Sequence, residues 1–241
     1  MTVSGEQFAD IMAGGAALLG IDMPAGALAL FDAYRAFLEK RRASVNLTAI
    51  TGAADTARLH FLDSAALLNA TPFAGLRVID VGSGAGFPGV PLKIAEPSID
   101  LTLLESTGKR VAFLSELCAA LGIDAATVHA RAEEASRFPD MRERYDIAVS
   151  RAVARLNVLC ELCLPFVRCG GVFIAMKGID SNIELEEAHG AITALGAALE
   201  CCHEYDIPGS DVTRRAVIIR KTSETPDRYP RRFARIQKAP L

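Results

Sequence analysis

A short apolar run, RVIDV at 77–81, passes straight into three alternating glycines, Gly82, Gly84 and Gly86. Glycines so spaced let the backbone turn sharply and let a ligand approach with no Cβ in the way. The residues downstream repeat the strand-then-helix pattern that such a loop opens. LTLLE (101–105), TVHA (127–130), YDIAVS (145–150) and VFIAM (172–176) read as further strands, with helical stretches at 107–121 and 153–166, and RRAVIIRK (214–221) reads as a late strand. Strands alternating with helices over about 100 residues predict a parallel sheet with helices on both faces. The fold class is therefore α/β. In open α/β sheets ligands bind at the carboxyl ends of the strands, where the glycine loop lies.

Upstream of residue 76 no strand pattern occurs. Residues 6–42 carry apolar residues at helical spacing: Phe8, Ile11 and Met12, then Leu28, Leu30, Phe31, Tyr34, Phe37 and Leu38. Pro24 suits the opening of the second helix. A polar link, SVNLTAITGAAD, leads to another helix at 55–69 that carries His60 and Asp63. At the other end, SETPDRYPRRFARIQKAPL is polar and basic and holds three prolines, a composition that favours a flexible tail. The organisation expected is a helical cap over 1–70, an α/β domain over 71–221 and a basic flexible tail over 222–241.

No apolar run reaches the roughly 18 residues needed to span a bilayer. The N-terminus shows no basic segment before an apolar run, so a soluble, cytoplasmic protein is expected. The six cysteines are then expected as reduced thiols. Cys160 and Cys163 sit in VLCELCLPF at helical spacing with no second ligand pair, so they read as buried core thiols and no metal site is expected. The formal net charge of −3 is unevenly spread. Residues 214–241 hold nine Lys/Arg against two acids, whereas the remainder holds 17 against 27. An acidic body with a basic end suggests a local contact with a polyanion, and the tail is expected to order on RNA.

Three details separate the glycine loop from its dinucleotide-binding relatives. The spacing is G-x-G-x-G rather than G-x-G-x-x-G. Asp80 lies two residues before the first glycine, where it would repel a pyrophosphate but attract the sulfonium and amino groups of S-adenosylmethionine. No lysine precedes a Ser/Thr, as a phosphate loop requires. Glu105 ends the second strand, 19 residues beyond Gly86, where a carboxylate can accept from both ribose hydroxyls. That place suits any nucleoside, and a solvated strand end is the alternative reading. Ala132, Glu133 and Glu134 follow the third strand, near where an adenine edge would lie; the alternative there is an exposed helix start.

Along most of its length the chain resembles the bacterial small-subunit ribosomal RNA guanine-N7 methyltransferases, a family also called glucose-inhibited division protein B. The resemblance rests on NLTAI (46–50), HFLDS (60–64), DVGSGAGFPGVPL (80–92), LESTGKR (104–110), RAEE (131–134), SRA (150–152), MKG (176–178) and YPRR (229–232). The family often has threonine and proline where Ser83 and Ala85 stand, and leucine at Phe87. The resemblance implies a class I, Rossmann-like S-adenosylmethionine-dependent methyltransferase fold with an N-terminal helical cap. It implies cofactor contacts at Gly82, Phe87, Ala132, Glu133 and Arg151, beside Asp80, Gly84 and Glu105 from the loop argument. It also implies a guanine in the decoding region of 16S ribosomal RNA as the target, in the small subunit or its precursor.

The residues fit that chemistry. No Pro-Cys nucleophile is present, and the exocyclic-amine motif N/D-P-P-Y/F is replaced by Val149-Ser150-Arg151-Ala152. Guanine N7 needs neither, because its lone pair is free and no proton leaves before attack; positioning of the reactants then carries the reaction. An arginine fork pairs with a carboxylate or with guanine O6, so Arg151 reads as a binding residue and no catalytic residue is assigned. Asn46, His60 and Asp63 are substrate-side candidates, or else helix caps and buried polar groups. Two alternatives stay open: an enzyme of the same fold acting on another RNA, a protein or a small molecule, and a non-catalytic nucleoside-binding module.

Overall fold

The computed structural model describes residues 5–45, 50 and 52–241. Helices α1 (Gly5–Leu18) and α2 (Ala27–Val45) come first, then a helical run made of α3 (Ala53–Thr56), a π-helical turn (Ala57–Leu62), α4 (Asp63–Ala65) and a 3-10 turn (Ala66–Asn69). Strands and helices then alternate: β1 (Arg77–Val81), α5 (Gly89–Ala95), β2 (Asp100–Glu105), α6 (Gly108–Leu121), β3 (Ala125–His129), α7 (Ala132–Ala135), β4 (Tyr145–Arg151) and α8 (Leu156–Cys163). The chain closes with β5 (Val167–Gly178), α9 (Asn182–Ala194), β6 (Ala197–Asp206), β7 (Thr213–Lys221) and α10 (Phe233–Lys238).

The seven strands form one sheet in the order β3-β2-β1-β4-β5-β7-β6. β1 to β5 are parallel, and β7 runs antiparallel to both neighbours. The chain winds outward from β1 to β3 and then returns to β4 on the other side, so a crevice opens at the carboxyl ends of β1 and β4. Successive side chains on a strand face opposite ways. Val78, Leu103 and Ile147 therefore join one core with α1, α2, α5 and α6, whereas Ile79, Leu104 and Ala148 join the other with α8, α9 and α10. Burial on both faces is why the parallel strands read as unbroken apolar runs. Cys160 and Cys163 are buried thiols in the second core, as their helical setting implied.

β6 had no such signature. AALECCHEYD is an edge strand, and only Ala197 and Tyr205 are buried along it. Its charged side chains blunt an open edge rather than build a core.

The N-terminal helices are built into the first core. Phe8, Phe31, Tyr34 and Phe61 are all fully buried, with Phe61 in ring contact with the other three at 5.9, 5.2 and 5.1 Å. Truncating a ring so placed costs about 3–5 kcal/mol. No helix among the described residues is long and apolar enough to cross a membrane.

The C-terminal segment differs from its expectation. Residues 222–241 do not lie loose; they strap across the second core. Tyr229 is 7% exposed and Ile236 is fully buried, packed with the residues of α8 and α9. Arg231 donates through its backbone and guanidinium to the fully buried Glu161 of α8. Arg142 donates to the carbonyls of Thr225 and Tyr229, and Arg137 donates to that of Pro230. Composition misled because two buried side chains, one buried ion pair and arginine bonds to backbone carbonyls hold the strap, and a hydropathy average hides all three. Part of the basic excess is also engaged: Arg215 pairs with Glu204, Arg220 with Glu200, Lys221 with Glu143 and Arg231 with Glu161.

Candidate functional site

The glycine loop turns where its sequence requires. Gly82, Gly84 and Gly86 have φ of 77°, 58° and 100°. A Cβ on Gly86 would meet the Tyr34 hydroxyl at 2.5 Å and Val90 at 2.9 Å, and one on Gly82 would meet Val153 at 2.6 Å. One on Gly84 would find only the Gly82 carbonyl, at 3.9 Å. Two of the glycines thus serve packing, and Gly84 borders open space. The loop is pinned from three sides: Gly82 N–H donates to the Leu104 carbonyl at 2.9 Å, Ser83 Oγ to the Asp80 carbonyl at 2.9 Å, and Tyr34 OH of α2 to the Ala85 carbonyl at 2.5 Å.

Asp80 lies under this loop rather than on its ligand side. It is fully buried, and its Oδ2 accepts from the Gly89 N–H at 2.9 Å, tying β1 to the start of α5. Its Oδ1 has no hydrogen-bond partner among the described residues. Burial pushes its carboxyl up to about 7, against the opposing Gly89 hydrogen bond.

A cavity of about 690 Å³ opens beside the loop. One end is lined by Gly82, Ser83, Gly84, Ala85, Glu105, Ser106 and Arg110. Glu105 is 4% exposed; its Oε2 accepts from Gly84 N–H at 3.1 Å and its Oε1 from Thr107 N–H at 2.8 Å. A carboxylate has about four acceptor positions, so lone pairs remain for ligand hydroxyls.

The other end is lined by Leu59, His60, Asp63, Phe87, Arg151, Met176, Lys177 and Arg214. Here the π turn matters, since such turns rearrange local carbonyls and side chains. It presents the Leu59 carbonyl and the His60 ring to Arg151. Arg151 Nη1 donates to Leu59 O at 3.3 Å and to Asp63 Oδ2 at 3.4 Å, and Nη2 donates to His60 Nδ1 at 3.1 Å. Since arginine can only donate, the His60 Nδ1 is an acceptor and the ring is neutral. Burial, reinforced by the Arg151 charge, lowers His60 to about 3. Arg151 stacks over Phe87 at 4.7 Å, and His60 stacks on the same ring at 4.5 Å, with Tyr34 at 5.3 Å. Asp63 is 2% exposed, and burial raises its pKa against the pull of Arg151 and Arg214. Tyr205 OH donates to Asp63 Oδ1 at 2.9 Å.

Of the residues singled out from sequence, Gly82, Gly84, Phe87, Glu105, Arg151, His60 and Asp63 meet in this one cavity. Asp80 sits beneath it. Ala132 and Glu133 open α7 after β3 and are not on its wall; Glu133 is buried, with Arg131 Nη1 at 3.9 Å from its Oε1. Asn46, with Leu47, Thr48 and Ala49, lies outside the described residues. Sequence reasoning missed Tyr34, read only as one of a helical stripe, and Arg214, counted only as part of a basic end. The Met176-Lys177-Gly178 match did foreshadow Lys177, whose Nζ donates to the Ala154 carbonyl and Glu184, both at 2.8 Å.

Comparison with known proteins gives a consistent picture. Residues 27–209 match the family described as rRNA small subunit methyltransferase G. The chain is 44% identical over 228 residues to the ribosomal RNA small subunit methyltransferase G of Acetivibrio thermocellus, covering 94% of each chain. It is 38% identical over 237 residues to that of Clostridium perfringens strain 13, covering 98% of this chain and 99% of the relative. Among solved structures it resembles the precorrin-6y C5,15-methyltransferase of Geobacter metallireducens, with a TM-score of 0.50 at 15% identity over 66% of this chain and 87% of that one. TrmN of Thermus thermophilus gives 0.50 at 20% identity over 66% and 48%. At such identities these structures speak for the fold alone, a class I methyltransferase fold.

Proposed function

The chain belongs to the rRNA small subunit methyltransferase G family, and from that premise we propose that it methylates N7 of a guanine in the decoding region of 16S ribosomal RNA, with S-adenosylmethionine as methyl donor. The observation that carries the reading is one cavity that joins a glycine loop and Glu105 to a wall of Arg151, Arg214 and Asp63. When bound, S-adenosylmethionine supplies a methyl group on a cationic sulfur.

The residues present fit that donor. The space beside Gly84 admits a ligand close to the backbone, and a side chain there would fill it. Glu105 accepts hydrogen bonds from ribose hydroxyls. The carboxylate of Glu105 favours a cationic ligand in a partly enclosed site, where charge is poorly screened. Phe87, stacked by Tyr34 and His60 and covered by Arg151, fixes the positions of these side chains along the wall. Ala132 and Glu133, which open α7 after the neighbouring strand β3, would serve the adenine edge.

At the other end the arginines offer donors to an acceptor oxygen of the target nucleotide. Guanine N7 carries a free lone pair, so no side chain has to remove a proton. His60 is held neutral and Asp63 is engaged by Tyr205 and Arg151, so both act by placing Arg151. Orientation of two reactants is the main contribution asked of the protein, a term that reaches about 7–11 kcal/mol in well-oriented systems.

The test is methyl transfer from labelled S-adenosylmethionine to small ribosomal subunits taken from cells that lack this gene. Label is expected in 7-methylguanosine after digestion of the 16S ribosomal RNA. Label in ribosomal protein, or in a different nucleoside, would sink this choice of target.

A further inference from the structure

Arg151 was the arginine that sequence singled out as a binding residue, yet its fork is occupied. Nη1 is committed to Leu59 O and Asp63, Nη2 to His60, and its face lies on Phe87. Its side chain is 15% exposed. Arg214 is the opposite case. It stands second in β7, paired in register with Gly178 at the carboxyl end of β5, and this brings it to the cavity mouth. Its side chain is 32% exposed, and it donates no hydrogen bond to any described residue. The nearest carboxylate oxygen is Asp63 Oδ2, 3.6 Å from a buried Nε. Asp63 is already shared with Arg151 and with Tyr205.

One carboxylate therefore faces two guanidiniums, and only one of these has its donors spent. With Nε of Arg214 buried against Asp63, the donors left for a ligand are those on the exposed part of its side chain, which lines the cavity. The geometry points to Arg214 as the residue that grips the target nucleotide, its guanidinium donating to an acceptor oxygen, either guanine O6 or a phosphate of the same nucleotide. Arg151 then shapes the floor of the site through Phe87 and His60, and Asp63 holds both arginines in place. This rests on the proposed RNA target. A guanidinium suits this role because its fork matches two acceptor positions and keeps its charge at any working pH. A carboxylate of the cofactor is the competing occupant, and the test separates the two.

The experiment compares wild type with Arg214→Ala and Arg214→Lys. Affinity for S-adenosylhomocysteine is measured by calorimetry, and methyl transfer to undermethylated small subunits is measured in a single turnover at saturating S-adenosylmethionine. A lost specific arginine–base contact is worth about 1–3 kcal/mol, so transfer by Arg214→Ala is expected to fall roughly 5- to 150-fold. S-adenosylhomocysteine affinity and melting temperature should stay close to wild type, and Arg214→Lys should recover part of the rate. Subunits reconstituted with 2-aminopurine at the methylated position, which lack O6, tell the two oxygens apart. A defect of Arg214→Ala that disappears on them assigns O6, and one that persists assigns the phosphate. Unchanged transfer, or S-adenosylhomocysteine affinity that falls as far as transfer does, would overturn the assignment. Should wild type methylate an atom other than guanine N7, the target reading fails, whereas the comparison of variants still reads whether Arg214 grips the RNA.

Discussion

The two ends of the cavity are made of different material. At the glycine-loop end, the loop 80–89 and Glu105 are fixed by backbone hydrogen bonds to Leu104, Gly84 and Thr107, and Glu105 brings the one carboxylate among the described residues on this part of the cavity lining. At the arginine end, His60 comes from the π turn, Asp63 from α4, Arg151 from β4 and Arg214 from β7, and what faces the ligand is side-chain charge held by other side-chain charge. At a backbone-built wall, the effect of one side-chain change stays local to the ligand contact that it removes. A charge-built wall is coupled, so removal of one member alters the others non-additively. The first end suits a ligand of fixed shape; the second suits discrimination.

The sharpest way to break the contrast is at Gly84. Gly84→Val should abolish cofactor binding in calorimetry and leave the melting temperature within a few degrees, because its Cβ meets ligand space and only Gly82 O within 4 Å. A φ of 58° also strains a β-branched side chain, by at least about 1–2 kcal/mol, which is a few degrees of melting temperature in a chain of this size. Gly86→Val should instead fail to fold, since its Cβ strikes the Tyr34 hydroxyl, Val90 and Leu114. Equal loss of folding in both would erase the distinction between a ligand glycine and a packing glycine.

The next effect is smaller and falls on neither end. Arg231→Met leaves the Glu161 carboxylate buried without its cation, which costs about 3–5 kcal/mol. In a chain of this size that lowers the melting temperature by roughly 10 °C. Cofactor affinity of the folded fraction should be unchanged. A wild-type melting curve would mean that the strap is not held by this pair.

That strap also marks where sequence stopped being informative. The glycine loop was legible because its chemistry is local: three φ-positive glycines and a strand lie within ten residues. The sheet was legible because burial on both faces leaves unbroken apolar runs. The arginine end was half legible, through the HFLDS and SRA matches, but Arg214 was hidden because its partner Asp63 lies 151 positions away. The strap and β6 were not legible, since long-range pairs such as Arg231 with Glu161 leave no periodic trace. Tyr34 was visible as a core residue, but its hydroxyl bond to the loop is a matter of tertiary placement.

A still finer probe is pH, because His60 and Asp80 are both buried and their shifts act in opposite senses. His60 is lowered from 6.5 to about 3, so between those values the unfolded chain takes up a proton that the folded chain refuses. Its contribution to stability is complete above 6.5 and is lost as pH falls toward 3. Asp80 is raised from 3.8 to about 7, so the folded chain holds the extra proton. Its contribution is complete below 3.8 and is lost as pH rises through 7. Melting curves across this range should show that His60→Gln weakens the acid sensitivity and Asp80→Asn weakens the decline toward neutral pH. Slopes equal to wild type in both variants would contradict these two assignments.

The division of the cavity itself is tested most directly at Glu105. The measurement is the affinity of Glu105→Ala for S-adenosylhomocysteine by calorimetry, set beside its affinity for small ribosomal subunits with no cofactor present. Two lost ribose hydrogen bonds at about 1 kcal/mol each predict a fall in cofactor affinity of roughly 30-fold, with subunit affinity unchanged. Cofactor affinity equal to wild type, or a matching loss of subunit affinity, would contradict the account of a backbone-built cofactor end separate from a charge-built nucleotide end.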